Sequence, residues 1–292
     1  MKLEEKDLLY YFKIAKKAAL LSGNLLRKNY KKFYKINEKG IRDVVTEIDK
    51  KSENFIKNYF KKYTPQINFY GEETGGNIEN LSWVVDPLDG TKNYIHKIPY
   101  FGVSIALCLD LKPIIGIVYF PLLNKLYWAI EGKGAFLEVK STFLNKIFCN
   151  FDFLNRISSR FDIFNKIKKL NISDTNNLSS SFLATGFPHS KSHLVSNYIV
   201  ELEAILKNVS AVRRLGSAAF DLCSVAEGTF DAFWEYGLES WDVAAGALIA
   251  KEAKAFISNA SGGNWDIKSD SILASNQNLK DQLLMLIKNS HK

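Results

Sequence analysis

Cysteine and methionine are scarce in this chain of 292 residues, which contains three Cys and two Met. Cys108, Cys149 and Cys223 form no CxxC pair and have no spacing typical of a metal site. An odd and sparse set of thiols indicates a reducing, cytoplasmic setting. Cys108 and Cys223 lie within apolar runs, where we expect them to be small buried side chains.

Long hydrophobic runs are also missing. The most apolar stretch, residues 101–109, is far too short to cross a membrane. The first six residues alternate acidic and basic side chains and open an amphipathic helix, so we expect no signal peptide and no membrane contact. We find no internal repeat, no low-complexity tract and no clear linker, and we predict a single unit spanning residues 1–292.

The charged residues give a formal net charge of +8, and 47% of the chain is hydrophobic. Both values are compatible with an ordinary soluble globular protein. The positive charge comes from lysines spread along helical segments, a pattern typical of a solvated helix face. Such a surface would attract small anionic substrates, and it leaves nucleic-acid binding open as an alternative.

Periodicity predicts helices that flank blocks of strands. Apolar residues at spacings of three and four predict a helix over residues 8–30, and Thr46 with Asp49 resembles the capping pair of a second helix after a turn at 39–49. Four β-rich runs predict an antiparallel meander over 102–109, 114–120, 125–130 and 134–139. The order of the elements indicates an α+β class, a layered α/β/α/β sandwich with mainly antiparallel sheets.

The segment Asp86-Pro87-Leu88-Asp89-Gly90-Thr91 follows a short buried strand predicted at 83–85. Because Pro87 fixes its own φ and lacks an N–H, we expect Asp86 to end the strand and Asp89 to come round beside it. Two carboxylates followed by backbone N–H groups can hold a hard cation and a phosphate together. The alternative is a plain turn, since Pro and Gly occupy positions that turns favour.

Two further acids, Glu72 and Asp242, stand at element ends beside a glycine-rich loop and at the start of an apolar helix. A solvated loop or a helix cap would explain either one alone. Together with Asp86 and Asp89 they form a set of acids without His or Cys partners, which favours Mg²⁺ or Mn²⁺ over zinc. The matching chemistry is phosphate ester hydrolysis assisted by one or two such ions.

These residues resemble the dispersed signature of the inositol monophosphatase family, within the lithium-sensitive Mg²⁺-dependent phosphatase superfamily. The signature is Asp, Glu-Glu, Asp-Pro-(Ile/Leu)-Asp-Gly-Thr and Trp-Asp-X-X-X-Gly. Its parts occur here in that order, as Asp49, Glu72-Glu73, Asp86–Thr91 and Trp241–Gly246. The resemblance implies an inositol monophosphatase or fructose-1,6-bisphosphatase-like fold, with residues 1–140 as the metal- and phosphate-binding half and 141–292 as the substrate-side half.

The resemblance also implies a metal site with two or three ions. The first ion would be bound by Glu72, Asp86 and the Leu88 carbonyl oxygen. The second would be bound by Asp86, Asp89 and Asp242, and Glu72 would help to place a third. The implied cofactor is Mg²⁺, with Mn²⁺ as a substitute and Li⁺ as an inhibitor.

Catalytic and substrate-binding roles follow from the same resemblance. Thr91, held by Asp49, would orient the nucleophilic water, with Glu72 as a further catalytic residue. Backbone N–H groups of Gly90 and Thr91 would hold the phosphate, and Lys39 matches a position near the entrance. The part of the family's site that binds substrate hydroxyls is matched by Gly216, Ser217, Ala218 and Glu235. Asp242 would bind both the metal and the substrate.

The expected activity is phosphomonoester hydrolysis of a small polyol or sugar phosphate such as inositol 1-phosphate, by a cytoplasmic homodimer. Fructose 1,6-bisphosphate, 3′-phosphoadenosine nucleotides, NADP and histidinol phosphate remain alternative substrates. An RNA- or transcription-associated binding protein on the same fold is the alternative of another class. The chain departs from the family's Glu-Ala-Gly-Gly at residues 252–255, where Lys254 replaces a glycine. The segment 141–177 is also longer than expected, and we predict variable helix and loop there.

Overall fold

The computed structural model describes residues 3–32, 36–40, 43–139, 166–188 and 191–291, with side chains 36–45 left out. Two helices begin the chain, α1 (Glu5–Asn29) and α2 (Glu47–Tyr63). Between them lies a hairpin of β1 (Ile36–Gly40) and β2 (Asp43–Thr46), where the sequence predicted only a turn. The prediction missed these strands because each contains five residues or fewer, with little apolar alternation.

A seven-stranded sheet forms the centre of the first half. Its strands are β3 (Asn68–Gly71), β4 (Leu81–Asp89), β5 (Gly102–Leu109), β6 (Lys112–Phe120), β7 (Lys125–Ile130), β8 (Gly134–Val139) and β9 (Lys166–Lys169), in that spatial order. Only β3 and β4 are parallel, so the predicted antiparallel meander is confirmed. A short helix, α3 (Thr91–Ile95), follows β4. The segment 141–177, predicted to be variable helix and loop, lies outside the described residues as far as 165. Its residues 166–169 form the exposed strand β9, which the prediction missed.

The second half contains a five-stranded mixed sheet and four helices. Its strands are β10 (Phe182–Thr185), β11 (Ala211–Arg213), β12 (Ala232–Tyr236), β13 (Phe256–Ser258) and β14 (Ser271–Ser275). Its helices are α4 (Val195–Leu206), α5 (Ala218–Glu227), α6 (Ser240–Glu252) and α7 (Lys280–Ser290). Strand β10 is parallel to β11 and β12, and the remaining pairs are antiparallel.

The helices and sheets alternate in layers. Helices α1 and α2 pack together on one face of the seven-stranded sheet, and α6 packs on its other face beside α5. Helix α5 in turn contacts the five-stranded sheet, whose far face is covered by α4 and α7. The predicted α/β/α/β order is confirmed, and α4 with α7 adds a fifth, helical layer. Cys108 and Cys223 are buried in the core between the sheets.

The end of α6 keeps the turn that the family makes with glycine. Lys254 has a φ of +78°, in the left-handed region that favours glycine. Its N–H donates to Lys251 O, and the N–H of Ala255 donates to Ala250 O, each at 2.9 Å. These two bonds form a Schellman motif. The helix therefore ends in the ordinary way, with a lysine in a strained backbone conformation.

Candidate active site

The two aspartates of the Asp86–Asp89 segment lie on one continuous strand. Asp86 pairs with Ser104 and Asp89 with Gly102, so β4 advances three residues while β5 advances two. The prediction that Asp86 ends the strand is wrong: β4 passes through a bulge and continues to Asp89. Pro87 fits there because a bulge tolerates a missing N–H, and Asp86 Oδ1 accepts the Leu88 N–H at 2.9 Å.

The bulge is fixed from behind by two serines of the helical layer. Ser52 Oγ of α2 donates to the carbonyl oxygen of Pro87 at 2.8 Å. Ser22 Oγ of α1 lies 2.5 Å from Ser52 Oγ, and both side chains are fully buried. These contacts hold the backbone of the bulge, including the Leu88 carbonyl, in one place.

Thr91 is held between two acceptors. Its hydroxyl lies 2.9 Å from Asp49 Oδ1 and 3.0 Å from the carbonyl oxygen of Leu88. Asp49 is buried at the start of α2, where Thr46 and Asp49 form the predicted capping box. Burial raises the pKa of Asp49, and hydrogen bonds from Thr46 and Thr91 oppose that rise. When Asp49 is ionised, the single hydroxyl proton of Thr91 points to one of these acceptors, so its lone pairs can accept a hydrogen bond from a third group.

Gly90 joins the bulge to α3 in a conformation that requires glycine. Its φ is +84°, and a Cβ built there would lie 2.7 Å from the carbonyl oxygen of Tyr100. The chain therefore passes close to Tyr100 and enters α3 at Thr91. Asn93 in α3 donates from Nδ2 to Tyr100 O at 2.7 Å and to Leu215 O at 2.8 Å, which connects this turn to the second half of the chain.

Asp89 is bound to the first turn of α5. Its Oδ2 accepts a short hydrogen bond from the Ser217 hydroxyl and another from the Ala219 N–H at 3.2 Å. Ser217 is also the N-cap of α5, accepting the Phe220 N–H at 3.2 Å. Burial raises the pKa of Asp89 to about 7, although these hydrogen bonds lower it. The predicted residues Ser217 and Asp89 are thus in direct contact.

Asp242 lies in the first turn of α6, as its position in the sequence predicted. Its Oδ2 accepts the Glu239 N–H at 2.8 Å in a capping box with Glu239. Burial raises the pKa of Asp242 to about 7, the Glu239 N–H lowers it, and the charge of Asp89 raises it further. The two carboxylates therefore belong to one electrostatic cluster.

Asp86 lies at the centre of the predicted acids. Burial raises its pKa well above the ordinary value, and the charges of Glu72, Asp89 and Asp242 raise it further. Glu72 approaches from the loop after β3, with its N–H donating to Val85 O at 3.2 Å. The structure brings together all four acids that the sequence singled out as ligands.

The donor set of this cluster fits a hard cation. Several buried carboxylates raise one another's pKa, and a divalent ion would offset their mutual repulsion. Across the described residues, no three acidic, His or Cys side chains already form a cage that could hold an ion. Several carboxylate oxygens are instead bonded to the protein, as at Leu88, Ser217 and Glu239. Such a site suits Mg²⁺, which normally completes its coordination with water and substrate oxygens.

A cavity of about 130 Å³ opens beside the acids. It is lined by Asp89, Gly186, Arg214, Gly216, Ser217, Ala218, Asp221, Glu235, Leu238 and Asp242. The cavity therefore brings the predicted hydroxyl-binding residues together with two of the predicted metal ligands, Asp89 and Asp242. These hydroxyl-binding residues are Gly216, Ser217, Ala218 and Glu235. Larger depressions of about 190 and 370 Å³ occur elsewhere, but none of the clustered acids lines them.

The sequence missed Asp221, Arg214 and Asn93. Asp221 could have been noticed as an acid inside the apolar helix that follows Gly216, but nothing local distinguishes it from a polar position on an exposed face. Arg214 and Asn93 acquire their positions only through tertiary contacts. Lys39 lies on β1 and its side chain is outside the described set, so its position at the entrance stays a prediction.

Comparison with known proteins decides the family. The profile of the inositol monophosphatase family matches residues 7–292. The chain belongs to the inositol monophosphatase family. It is 35% identical to a fructose-1,6-bisphosphatase/inositol-1-monophosphatase of Aquifex aeolicus over 292 residues, covering 97% of each chain. It is also 34% identical to the Nus factor SuhB of Haemophilus influenzae over 280 residues, covering 94% of each chain.

A solved structure of the inositol monophosphatase from Anabaena has the same fold, with a TM-score of 0.79 and 31% identity over 97% of each chain. The α+β layered fold and the resemblance read from the sequence are thereby confirmed. Membership of the inositol monophosphatase family makes the protein a phosphatase, and the family is one of metal-dependent phosphatases. In the part of the chain that is described, no helix has the length and apolar character needed to cross a membrane.

Proposed function

We propose that the protein is a Mg²⁺-dependent phosphomonoesterase acting on a small polyol or sugar phosphate, with inositol 1-phosphate as the preferred substrate. The observation that carries the proposal is the juxtaposition of the four-acid cluster with a cavity walled by Ser217 and Glu235. The cluster suits metal ions and phosphate, and the cavity suits the alcohol.

Glu72, Asp86 and the Leu88 carbonyl would hold the first ion. The second ion would be held by Asp86, Asp89 and Asp242. Glu72 would also help to hold a third ion. Such ions neutralise phosphoryl oxygens, lower the pKa of the attacking water and stabilise the leaving alkoxide. Mn²⁺ is the expected substitute and Li⁺ the expected inhibitor.

Thr91 would accept a hydrogen bond from the attacking water and so orient it. Its own proton is directed to Asp49 or Leu88, 2.9 and 3.0 Å away, which leaves its lone pairs available to the water. The N–H groups of Gly90 and Thr91 would contact the phosphate, and Lys39 would act at the entrance. Orientation of this kind supplies a large part of the rate enhancement in enzymes that add little covalent chemistry of their own.

The alcohol part of the substrate would lie against Gly216, Ser217, Ala218 and Glu235. Burial raises the pKa of Glu235 to about 8, with the charge of Asp242 adding to the rise and Arg214 opposing it. A carboxyl in such a position forms hydrogen bonds with alcohol hydroxyls whether or not it carries a proton. These contacts support the proposed preference for a polyol phosphate.

Phosphate release tests the proposal. Purified protein is assayed against inositol 1-phosphate, fructose 1,6-bisphosphate, a 3′-phosphoadenosine nucleotide, NADP and histidinol phosphate, with Mg²⁺, Mn²⁺, EDTA and Mg²⁺ plus Li⁺. We expect the highest kcat/KM for inositol 1-phosphate, no activity with EDTA and inhibition by Li⁺. Preferred hydrolysis of the bisphosphate would instead place the protein with the bifunctional activity named for its Aquifex relative.

A second candidate function is binding to RNA or to the transcription machinery. It is favoured by the relative named as a Nus factor and by the net charge of +8. A salt-dependent shift of RNA in a gel assay, retained in Asp86→Asn, would establish this activity separately from catalysis. We further propose that the protein is a cytoplasmic homodimer, which light scattering of the purified protein and cell fractionation would test.

A further inference from the structure

Asp221 is a buried acid in the wall of the cavity. It lies one turn into α5, only 1% of its surface is exposed, and its Oδ1 has no hydrogen-bond partner among the residues that the structure describes. Buried polar atoms in folded proteins almost always have a partner, because an unsatisfied one retains its full desolvation penalty. An unpartnered carboxyl oxygen in the wall of a cavity therefore points to a partner supplied by the occupant.

Glu235 stands beside Asp221 in the same wall and is held in place by close packing. A Cβ at Gly186 would overlap its carboxylate, so the side chain lies directly against the backbone of residue 186. Burial, followed by the charges of Glu235 and Asp89, raises the pKa of Asp221 well above the ordinary value. A raised pKa favours the protonated carboxyl, which can both donate and accept hydrogen bonds, and the ionised carboxylate still accepts them.

Arg214 is the one cationic side chain among the cavity-lining residues in the described part of the chain. It is an exposed residue whose guanidinium lies 5.5 Å from the centroid of the Phe187 ring, and its charge lowers the pKa of Asp221 and Glu235. Arg214 therefore partly offsets the negative charge of these two carboxyls, so they can bind a neutral group as well as a cation. A hydroxyl both donates and accepts, so it can pair with a carboxyl in either protonation state.

We propose that Asp221 is a specificity-determining residue that, together with Glu235, binds adjacent hydroxyl groups of the alcohol. The ligand class is a phosphate ester whose alcohol carries hydroxyls on neighbouring carbons of a ring. The inference rests on the proposed function and deepens it, since it extends hydroxyl recognition to a residue for which the family resemblance supplies no role.

The test compares a polyol ester with an aryl ester of similar ring size. Asp221→Leu removes the hydrogen-bonding group, and Asp221→Asn keeps a group that donates and accepts. We expect Asp221→Leu to raise KM for inositol 1-phosphate about tenfold or more with little change in kcat, the effect of one lost hydrogen bond. Its kcat/KM for phenyl phosphate, which has no hydroxyl, should stay within about twofold of wild type. Asp221→Asn should restore most of the affinity for the polyol.

Ser224→Ala is the matched control, because Ser224 is buried in the same helix but does not line the cavity. It should change neither substrate's kinetics. If Asp221→Leu does not fold, Asp221→Ala carries the same expectation. Equal losses on both esters in the Asp221 variants would show a structural role and overturn the inference.

Two further outcomes separate the inference from the proposed function. A wild-type enzyme that releases phosphate from inositol 1-phosphate while Asp221→Leu leaves its KM unchanged overturns only the role of Asp221. A wild-type enzyme active on no polyol ester overturns the proposed function and the inference together. A wild-type preference for ethanolamine phosphate over glycerol 2-phosphate, lost in Asp221→Leu, would overturn the hydroxyl class and assign an ammonium ligand.

Discussion

Asp49 accepts a hydrogen bond from the hydroxyl of Thr91 at 2.9 Å, across the gap between the first turn of α2 and the first residue of α3. The same hydroxyl lies 3.0 Å from the Leu88 carbonyl of the bulge. One side chain thus connects a helix cap, a strand bulge and the start of a helix.

Thr91→Val removes the hydroxyl and keeps the shape of the side chain. Because a misplaced reacting group can cost about 10²-fold in rate, loss of the hydrogen bond that orients the water should lower kcat by about 100-fold with KM nearly unchanged. Steady-state kinetics with the best substrate of the screen measure the effect. Thr91→Ser keeps the hydroxyl and should retain most of the activity; a Thr91→Val enzyme as active as the serine variant would show that the hydroxyl has no part in catalysis.

Asp242→Asn should stabilise the metal-free protein at alkaline pH while abolishing catalysis. The folded-state pKa of Asp242 is about 7, above its ordinary value, so the folded protein binds the extra proton between about pH 4 and 7. The unfolded chain has already lost that proton, and stability therefore decreases as pH rises through this range. Removing the ionisable group removes this loss.

Thermal melts in EDTA at pH 5 and pH 8 measure the difference. We expect the melting temperature of Asp242→Asn to exceed that of wild type by about 3 °C or more at pH 8, and by much less at pH 5. Mg²⁺ should raise the melting temperature of wild type more than that of the variant. Lys251→Gln, at an exposed position of the same helix away from the cluster, is the control. A variant that is destabilised equally at both pH values would contradict this account.

Lys254→Gly should stabilise the protein without affecting activity. Lys254 has a φ of +78°, a conformation that costs a non-glycine residue about 1 kcal/mol. Glycine at this position relieves the strain and keeps both Schellman hydrogen bonds, so we expect the free energy of unfolding to rise by roughly 0.5–1 kcal/mol. Urea denaturation measures it, and Lys254→Ala, which retains a Cβ, should give no comparable gain.

Ser52→Ala should weaken metal binding through the backbone. The substitution leaves the buried carbonyl of Pro87 without the Ser52 hydroxyl, at a cost of about 1–3 kcal/mol in stability. Because the bulge carries both Asp86 and Asp89, we also expect a higher Mg²⁺ concentration at half-maximal activity. Ser22→Ala keeps the bond from Ser52 to Pro87 and should have a smaller effect on both measurements. The opposite order would exclude Ser52 as the residue that fixes the bulge.

Much of the fold followed from local patterns. The apolar spacing of α1, the Thr46–Asp49 cap and the alternating runs of β5 to β8 all depend on neighbouring residues, and each was predicted correctly. The bulge in β4 could not be predicted, because a bulge depends on how a strand pairs with its partner. Asp86 pairs with a residue of β5, which lies beyond the next turn. The β1–β2 hairpin lacked an apolar alternation that could have indicated it.

The candidate site was likewise predictable only in part. Acids at element ends beside Gly and Pro could be recognised individually, and the family signature joined them. Asp221 could not be recognised in this way, because its sequence neighbours would suit an exposed helix position equally well. Only the packing of α5 against the five-stranded sheet buries it. Arg214 likewise looks like one more surface cation until the cavity is formed around it.

The hydrogen bonds of Asp89 have a consequence for how ions and alcohols influence each other. Asp89 Oδ2 bonds to Ser217 and Ala219, which begin the helix that walls the cavity. Any ion that binds this carboxylate competes with the Ser217 hydroxyl and the Ala219 N–H for its oxygen lone pairs. Ion binding at Asp89 therefore changes the free energy of alcohol binding in the cavity. Thermodynamic reciprocity then requires the converse. The metal affinity of this enzyme should therefore depend on which alcohol is bound, and each alcohol's apparent affinity on the metal concentration at which it is measured.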